Sequence, residues 1–408
     1  MAGFERKRNI FANKDALGES YQPDRIEERD EEIDEYRDAL QPVIDGWEPN
    51  NVFLYGNTGV GKTAVTDYLL EQLQADADGY DDVNLTVVTL NCKSLTSSYQ
   101  VAVELVNKLR PHGGEISSTG YPQQTVFEKL FRELDKIGGT ILIVLDEIDA
   151  IGDQDDLLYE LPRARANDKL DETKVGVIGV SNDFKFRDRL DPRVQDTLCE
   201  REIQFPPYDA MELESILQSR AAISIVEDSV QDGVLDLCAA LAARDTGSAR
   251  QALDLLQLAG EAAENTDAAE IKIQHVEAAQ EKLEQERVEE GMRDLTRHGE
   301  VALLAMISKT AKGNTPCRTK RVYQEYLKLC ESAGVDSLAQ RSVHNHLSDL
   351  RMLGILSSNE NRSGSPGNYY SYELDVPFSS AIEAMSDVST LDAEIKTIRE
   401  IAEMKNIV

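Results

Sequence analysis

The sequence predicts an α/β domain with a parallel sheet, an all-helical segment after it, and a C-terminal winged helix. Three observations carry this. A buried-strand pattern at 51–55 runs into a glycine-rich loop, and a helical pattern at 64–73 runs out of it. Two continuous apolar runs, 140–145 and 175–180, read as strands covered on both faces, as a parallel sheet requires. After Pro207 no strand pattern appears for some eighty residues. Beyond residue 294, three helical patterns and an extended glycine-rich stretch follow in turn. At 408 residues the chain exceeds one ordinary core, and its length suggests about two to four domains.

Taken in order, residues 1–18 are expected to form a flexible N-terminal arm. Tyr21-Gln22-Pro23-Asp24-Arg25 leads into a helical pattern ending near Trp47. The loop Gly56-Asn57-Thr58-Gly59-Val60-Gly61-Lys62-Thr63 is a complete G-x-x-x-x-G-K-[ST]. Its glycines let backbone N–H groups turn inward around a polyphosphate, and the following helix offers its positive end to the same anion. Lys62 adds a cation for the β- and γ-phosphates, and Thr63 a hydroxyl for Mg²⁺. A chance glycine turn is the weaker reading between a buried strand and a helix. A second strand pattern covers 85–90, and helices cover 99–109 and 124–136, separated by a glycine- and serine-rich insertion from His112 to Tyr121. Gly138-Gly139 turns the chain into 140–145, which ends in Asp146-Glu147-Ile148-Asp149. The 175–180 strand ends in Ser181-Asn182-Asp183, and a short strand at 202–205 closes at Pro206-Pro207-Tyr208. Helical patterns at 211–221, 230–244, 248–264 and 273–290 form the lid. The expected divisions are therefore an arm (1–18), an α/β base (19–206), a helical lid (207–292), a winged helix (293–378) and a weakly amphipathic tail (379–408).

Asp146 and Glu147 end a buried strand, where open α/β sheets bind ligands. The first acid suits Mg²⁺ and the second suits orienting an attacking water; a solvated strand end is the blander reading. Asn182 ends another strand, and its amide suits a γ-phosphate or water, although Asn after a strand is often a turn residue. Arg250 opens a lid helix and has the reach to sense a γ-phosphate, although a lone arginine is more often solvated.

The net charge is −32, with the acid spread along the chain. That spread favours adaptation to molar salt over an acidic partner-binding tail, since net charge governs solubility and association and screening shortens to about 3 Å at 1 M salt. Residues 295–378 escape the acidic drift, with 10 Lys and Arg against 8 Asp and Glu, as a nucleic-acid surface requires. Cys92, Cys199, Cys238, Cys317 and Cys330 are scattered and read as reduced thiols. With no apolar run of roughly 18 residues and no signal-peptide core, a cytoplasmic, nucleoid-associated protein without membrane contact is expected.

Within 295–378, helices at 297–310 and 319–333 precede a recognition candidate running from Ser337 to Leu350. Leu338, Val343, Leu347 and Leu350 make its buried face, leaving Gln340, Arg341, Ser342, His344 and Asn345 towards the base edges of a major groove. Arg362 lies at the wing tip, suited to a minor groove or phosphate, and Lys320 and Arg321 are phosphate candidates. The other reading is a winged helix that packs on proteins. His344 and His346, at i, i+2, lie on different helix faces and are not a metal pair.

The order of P-loop, Asp-Glu-Ile-Asp, Ser-Asn-Asp, Leu190-Asp191-Pro192-Arg193-Val194, Phe205-Pro206-Pro207-Tyr208, Ile216-Leu217-x-x-Arg220 and Gly247-x-Ala249-Arg250 resembles the AAA+ initiator clade. More narrowly, it resembles the archaeal origin-recognition and cell-division-cycle type replication initiators, and the acidity resembles their haloarchaeal members. The resemblance runs from about Tyr21 to Leu374. It implies a P-loop NTPase base of AAA+ type that takes ATP or ADP with Mg²⁺. Asp146 and Glu147 become Walker B, Asn182 sensor 1 and Arg250 sensor 2. Tyr208 and Arg220 become nucleotide contacts on the lid side, with Tyr21, Pro23 and Arg29 near the adenine. The His112–Tyr121 insertion falls where the clade carries DNA-contacting helices.

One departure concerns hydrolysis. Many AAA+ proteins carry Ser-Arg-Phe after sensor 1, its arginine reaching a neighbouring subunit, whereas this chain has Asp196-Thr197-Leu198 with Arg193 as the nearest substitute. Slow turnover, with ATP as a switch, is the expectation. The implied partners are double-stranded origin DNA, a minichromosome-maintenance-type replicative helicase and other initiator copies. A transcription regulator with structural nucleotide and a clamp-loader-like ring ATPase are the competing readings. The first would tolerate loss of Glu147 or Asn182, both present, and the second needs a better trans arginine.

Overall fold

A computed structural model of the chain describes residues 10–19, 21–151, 155–293, 295–361, 369–388 and 391–405. Two units divide at Ile271 and Lys272. In the first, residues 10–17 are not an arm. Ile10, Phe11, Ala16 and Leu17 are buried, and the N–H groups of Ala12 and Asn13 donate to Ser224 O at 2.9 and 3.1 Å. The Phe11 ring lies so close to Gly260 that a Cβ there would come within 2.3 Å of it. Residues 1–9 fall outside the described residues.

Helix α1 (Asp30–Ile44) begins with three acids, favourable beside its positive end. Strand β1 (Val52–Gly56) enters the glycine loop and α2 (Lys62–Ala77) leaves it. There follow β2 (Leu85–Asn91), α3 (Ser98–Leu109), α4 (Gln123–Ile137), β3 (Thr140–Asp146), α5 (Asp156–Glu160), β4 (Lys174–Ser181), α6 (Phe186–Arg189), α7 (Pro192–Leu198) and β5 (Arg201–Phe205). The strands pair in parallel in the order β2-β3-β4-β1-β5. Residues Thr140 to Leu145 of β3 are buried throughout because helices cover both faces. The expected insertion holds no helix of its own. Residues 110–122 are turns and bends, pinned by Arg110, which pairs with Glu133 at 2.7 Å and donates to Gly114 O at 3.1 Å.

Past Pro206-Pro207 come α8 (Ala210–Ser224), α9 (Val234–Asp245) and α10 (Ala249–Asn265). A reciprocal Asp209–Glu212 cap starts α8. The sheet register decides where loops emerge: Tyr55 lies opposite Ser181, Leu145 opposite Gly179, and Asn91 opposite Asp146. The glycine loop, Asp146 and Asn182 therefore leave the sheet side by side.

The second unit opens on α11 (Ile273–Arg293), expected as the last lid helix but packed here against α15 (Phe378–Val388). Between them lie α12 (Arg297–Ala311), β6 (Cys317–Arg318), α13 (Thr319–Ala333), α14 (Gln340–Met352), β7 (Leu356–Asn361) and β8 (Tyr369–Leu374), and α16 (Asp392–Met404) follows. Strands β6, β8 and β7 make an antiparallel sheet, one strand more than the expected wing. The expected tail belongs to this core: Ala381, Ala384, Met385, Leu391, Ile395, Ile398 and Ala402 are buried, at the i, i+3, i+4 spacing of a helix face. Among the described residues no helix is long and apolar enough to cross a membrane, and the five cysteines are free thiols, Cys199 half-buried and the rest buried.

A buried carboxylate fastens this unit. Glu325 on α13 accepts from Ser308 Oγ at 2.8 Å and Lys309 Nζ at 3.1 Å, and also pairs with Lys312. Burial alone would raise its pKa, but the hydrogen bonds from Lys312, Ser308 and Lys309 outweigh it and hold the group at about 2. The folded pKa lies below the unfolded one, so this stabilisation is complete above pH about 4.5 and is lost as pH falls towards 2. Glu325→Ala is expected to destabilise the unit by about 3 kcal/mol at pH 7, and much less at pH 3. Calorimetric unfolding at both pH values checks this; an equal loss at both would refute the pairing.

Candidate nucleotide site and nucleic-acid interface

The phosphate loop is bare backbone where it turns. Gly59 and Gly61 sit at φ +79° and +95°, the region glycine alone enters freely. A Cβ on Gly59 would lie 2.1 Å from Ser248 Oγ, and one on Gly61 2.9 Å from the Tyr208 hydroxyl. Lys62 is buried, and its ammonium donates to Gly56 O (2.9 Å), Asn57 O (2.7 Å) and Asn182 Oδ1 (2.8 Å). Burial pulls its pKa down to about 8, against the opposing pull of Asp146 and Asp149. Thr63 Oγ1 donates to Asp146 Oδ2 at 3.2 Å, and burial pushes the Asp146 carboxyl above its usual range. Asn182 N–H donates to Asp149 Oδ1 at 3.0 Å. Glu147 follows at φ +52°, a left-handed conformation unusual for a glutamate, and its Oε1 accepts from Asn91 Nδ2 at 3.2 Å. Direct hydrogen bonds thus join Lys62 to Asn182 and its chain neighbour Thr63 to Asp146, and Glu147 follows Asp146.

From the lid side, Ser248 caps α10 through Gln251 N–H at 3.3 Å, and Ala249 N–H donates to Gly59 O at 3.0 Å. Arg250 follows, its Nε 2.8 Å from Glu19 Oε1, and its charge acts on Lys62. Arg220 lies over the Tyr21 ring at 4.5 Å and donates to Ala16 O at 3.3 Å; Pro23 is half-buried in the same segment. Val60 is buried in the loop. Tyr208 is buried, and burial pushes its phenol up to about 12.

Two expected residues have partners of their own. Arg29 is only 2% exposed, and its guanidinium is taken up by Val60 O of the phosphate loop, Pro206 O and Glu32. Arg193 is exposed and pairs with Asp191 through two nitrogens, at 3.0 and 3.1 Å, over the Tyr159 ring at 5.5 Å. None of those partners lies in the phosphate loop. Asn91, Asp149 and Ser248 were not singled out from the sequence. Asn91 ends a strand in register with Asp146, Asp149 follows it by one helical turn, and Ser248 holds an N-cap position.

In the second unit, α14 turns Val343, Leu347 and Leu350 into the core and leaves Gln340, Arg341 and Asn345 exposed, with Ser342 half-buried. His344 is half-buried on the flank of the helix. Its Nδ1 is 3.2 Å from the Tyr372 hydroxyl on β8, with the Tyr370 ring 6.0 Å away. One helical turn before buried Leu347, it flanks the core and ties helix to wing. Lys320 and Arg321 are exposed in the first turn of α13, and Arg362 lies outside the described residues. Two tyrosines clamp the approach to α14. Tyr323 Oη donates to Leu338 O at 3.0 Å, and Leu338 N–H donates to Tyr326 Oη at 3.2 Å, which also bonds His298 Nδ1 at 2.8 Å.

Known families match along the chain: an AAA domain at 48–190, the Cdc6 AAA+ ATPase-type lid domain at 214–281, and the CDC6 C-terminal winged helix domain at 290–384. The chain is 74% identical to the ORC1-type DNA replication protein 15 of Haloarcula marismortui, over 100% of both chains. It belongs to the ORC1-type DNA replication initiators. A second relative of this initiator, the ORC1-type DNA replication protein 10 of Halobacterium salinarum, is 70% identical over 100% of this chain and 99% of its own. Among solved structures, the Aeropyrum pernix ORC1 protein in complex with DNA superposes with a TM-score of 0.80 at 34% identity, covering 96% of this chain and 100% of that one. The initiator thus carries the AAA+ base, helical lid and winged helix expected from its sequence, on the fold of a nucleotide-binding ATPase.

Two outcomes are expected of this initiator. Gly59→Ala should weaken nucleotide binding more than tenfold in a fluorescent-nucleotide titration, and Ser248→Gly in the same chain should restore part of it, because it removes the Oγ and Cβ nearest the new methyl. No relief would mean that the backbone conformation alone matters. Tyr326→Phe should cost about 1 kcal/mol in thermal unfolding and loosen 334–339, read as faster amide exchange there; unchanged exchange would exclude the clamp.

Proposed function

We propose that this initiator binds double-stranded origin DNA through its winged helix and its base insertion, uses ATP with Mg²⁺ as a slow-turnover switch, and helps load a minichromosome-maintenance-type helicase. One observation carries most of the weight. Gln340, Arg341 and Asn345 stand exposed at the start of a helix whose other face is core. The chain is also 34% identical, over nearly its whole length, to an initiator solved in complex with DNA. Arg suits guanine and Asn or Gln suits adenine in a major groove, while Lys320 and Arg321 suit phosphates.

The nucleotide residues fit their roles. A hydroxyl and a carboxylate oxygen 3.2 Å apart, on Thr63 and Asp146, are the donors Mg²⁺ takes beside phosphates. When bound, the ion neutralises charge on the β- and γ-oxygens. Lys62 supplies the cation; Asn182 and Arg250 read the γ-phosphate from base and lid. Glu147, steadied by Asn91, orients water. Arg193 pairs with Asp191 of its own chain, which supports turnover well below the typical enzyme median of about 10 s⁻¹. Asn182 on the base and Arg250 on the lid would then bias the lid according to the nucleotide held, a switch of the ATPase kind. Other copies of the initiator, a nucleoid-associated place in the cytoplasm and the helicase partner belong to the same proposal.

Footprinting of genomic DNA in high KCl tests it, with ATP–Mg²⁺, ADP–Mg²⁺ or no nucleotide. Protection at a few repeated sites is expected, lost in Arg341→Ala and altered in extent between ATP and ADP. Protection confined to promoters, alike with ATP, ADP and Lys62→Ala, would favour a regulator with structural nucleotide.

A further inference from the structure

Among the described residues Arg29 is the most completely enclosed charge of the first unit, and it touches three parts of it. Its Nε donates to Val60 O in the phosphate loop at 3.2 Å. Its Nη2 donates to Pro206 O, in the connection between base and lid, at 2.7 Å. Its Nη1 pairs with Glu32 on α1 at 3.1 Å. The guanidinium carbon lies 3.6 Å from the centre of the Tyr208 ring, close enough for a cation–π contact. Tyr208 continues the path. Its hydroxyl stands over Gly61, and its N–H donates to Gly247 O at 2.9 Å. Gly247 packs so tightly on Pro207 that a Cβ would lie 2.5 Å from it, and it immediately precedes the Ser248 cap of α10 that leads to Arg250.

We infer that Arg29 is a positioning residue, a hinge pin that couples the phosphate loop to the lid through Tyr208 and Gly247. The inference rests on the switch reading above and names the groups that transmit it. A movement of Val60 or Gly61 reaches α10 both directly, through Gly59 O and Ala249 N–H, and around the hinge, through Arg29 and Tyr208. Only a planar fork meets two carbonyls and a carboxylate while stacking on a ring; the compact ammonium of lysine does not.

The test is amide hydrogen exchange across 207–271 in the full chain, with ATP–Mg²⁺ and with ADP–Mg²⁺ at saturating concentrations fixed by titration. It compares wild type, Arg29→Lys, Tyr208→Leu and the double variant. In wild type the lid is expected to exchange at different rates with the two nucleotides. In Arg29→Lys the two rates are expected to converge to within about twofold, with nucleotide still bound. Tyr208→Leu, which leaves the Arg29 hydrogen bonds, provides the same reading if Arg29→Lys does not fold. The double variant should converge no further than either single one. If wild type responds and both single variants keep the full difference while only their stability drops, Arg29 is a structural strut and the inference falls. If wild type itself shows no difference between ATP and ADP, the switch reading falls and the coupling with it.

Discussion

The lid rests on the phosphate loop because two residues of that loop have no side chain. Ser248 and Tyr208 occupy the space that Cβ atoms on Gly59 and Gly61 would fill. The same glycines that free backbone N–H groups for an anion also admit the lid to within hydrogen-bond distance, Ala249 N–H to Gly59 O. Binding surface and lid contact are thus two faces of one turn. Sheet order supplies the remainder: with β3, β4 and β1 adjacent, Asp146, Asn182 and Lys62 meet without any long side chain having to search for them.

The loop, the acid pair after β3 and the asparagine after β4 were legible because each is a local pattern: a buried run followed at once by a polar strand end. Arg29 is legible only through the resemblance, which sets it near the adenine; its partners Val60 and Pro206, 31 and 177 residues away, are brought to it by the fold. The His344 contact with Tyr372 of a distant strand is not legible, because helix periodicity separates buried from exposed faces but says little about the flank. The 379–408 segment looked peripheral because acidic residues interrupt its apolar stripe. Ile395, Ile398 and Ala402 nevertheless keep helical spacing and are buried.

Charge balance tells less about the outward face of the second unit than a residue count implies. Of the bases that make 295–378 nearly neutral, Lys309 and Lys312 turn inward to Glu325, and Arg297 pairs with Glu300. Lys320 and Arg321 on α13 and Arg341 on α14 remain exposed. A positive surface here depends on a few placed residues, set against an acidic chain that repels polyanions elsewhere.

The strand order has a consequence for how the chain is made. β1 carries the phosphate loop and is the first strand, yet its neighbours, β4 and β5, are the last two. It leaves the ribosome over a hundred residues before β4 begins at Lys174, an interval of roughly ten seconds at ordinary synthesis rates. Until then β2 and β3 can pair with each other, while β1 waits with both edges open. The central strand, β4, therefore enters between β3 and β1 rather than adding at an edge, and the Tyr208 and Ser248 side chains that close on Gly59 and Gly61 follow only after β5.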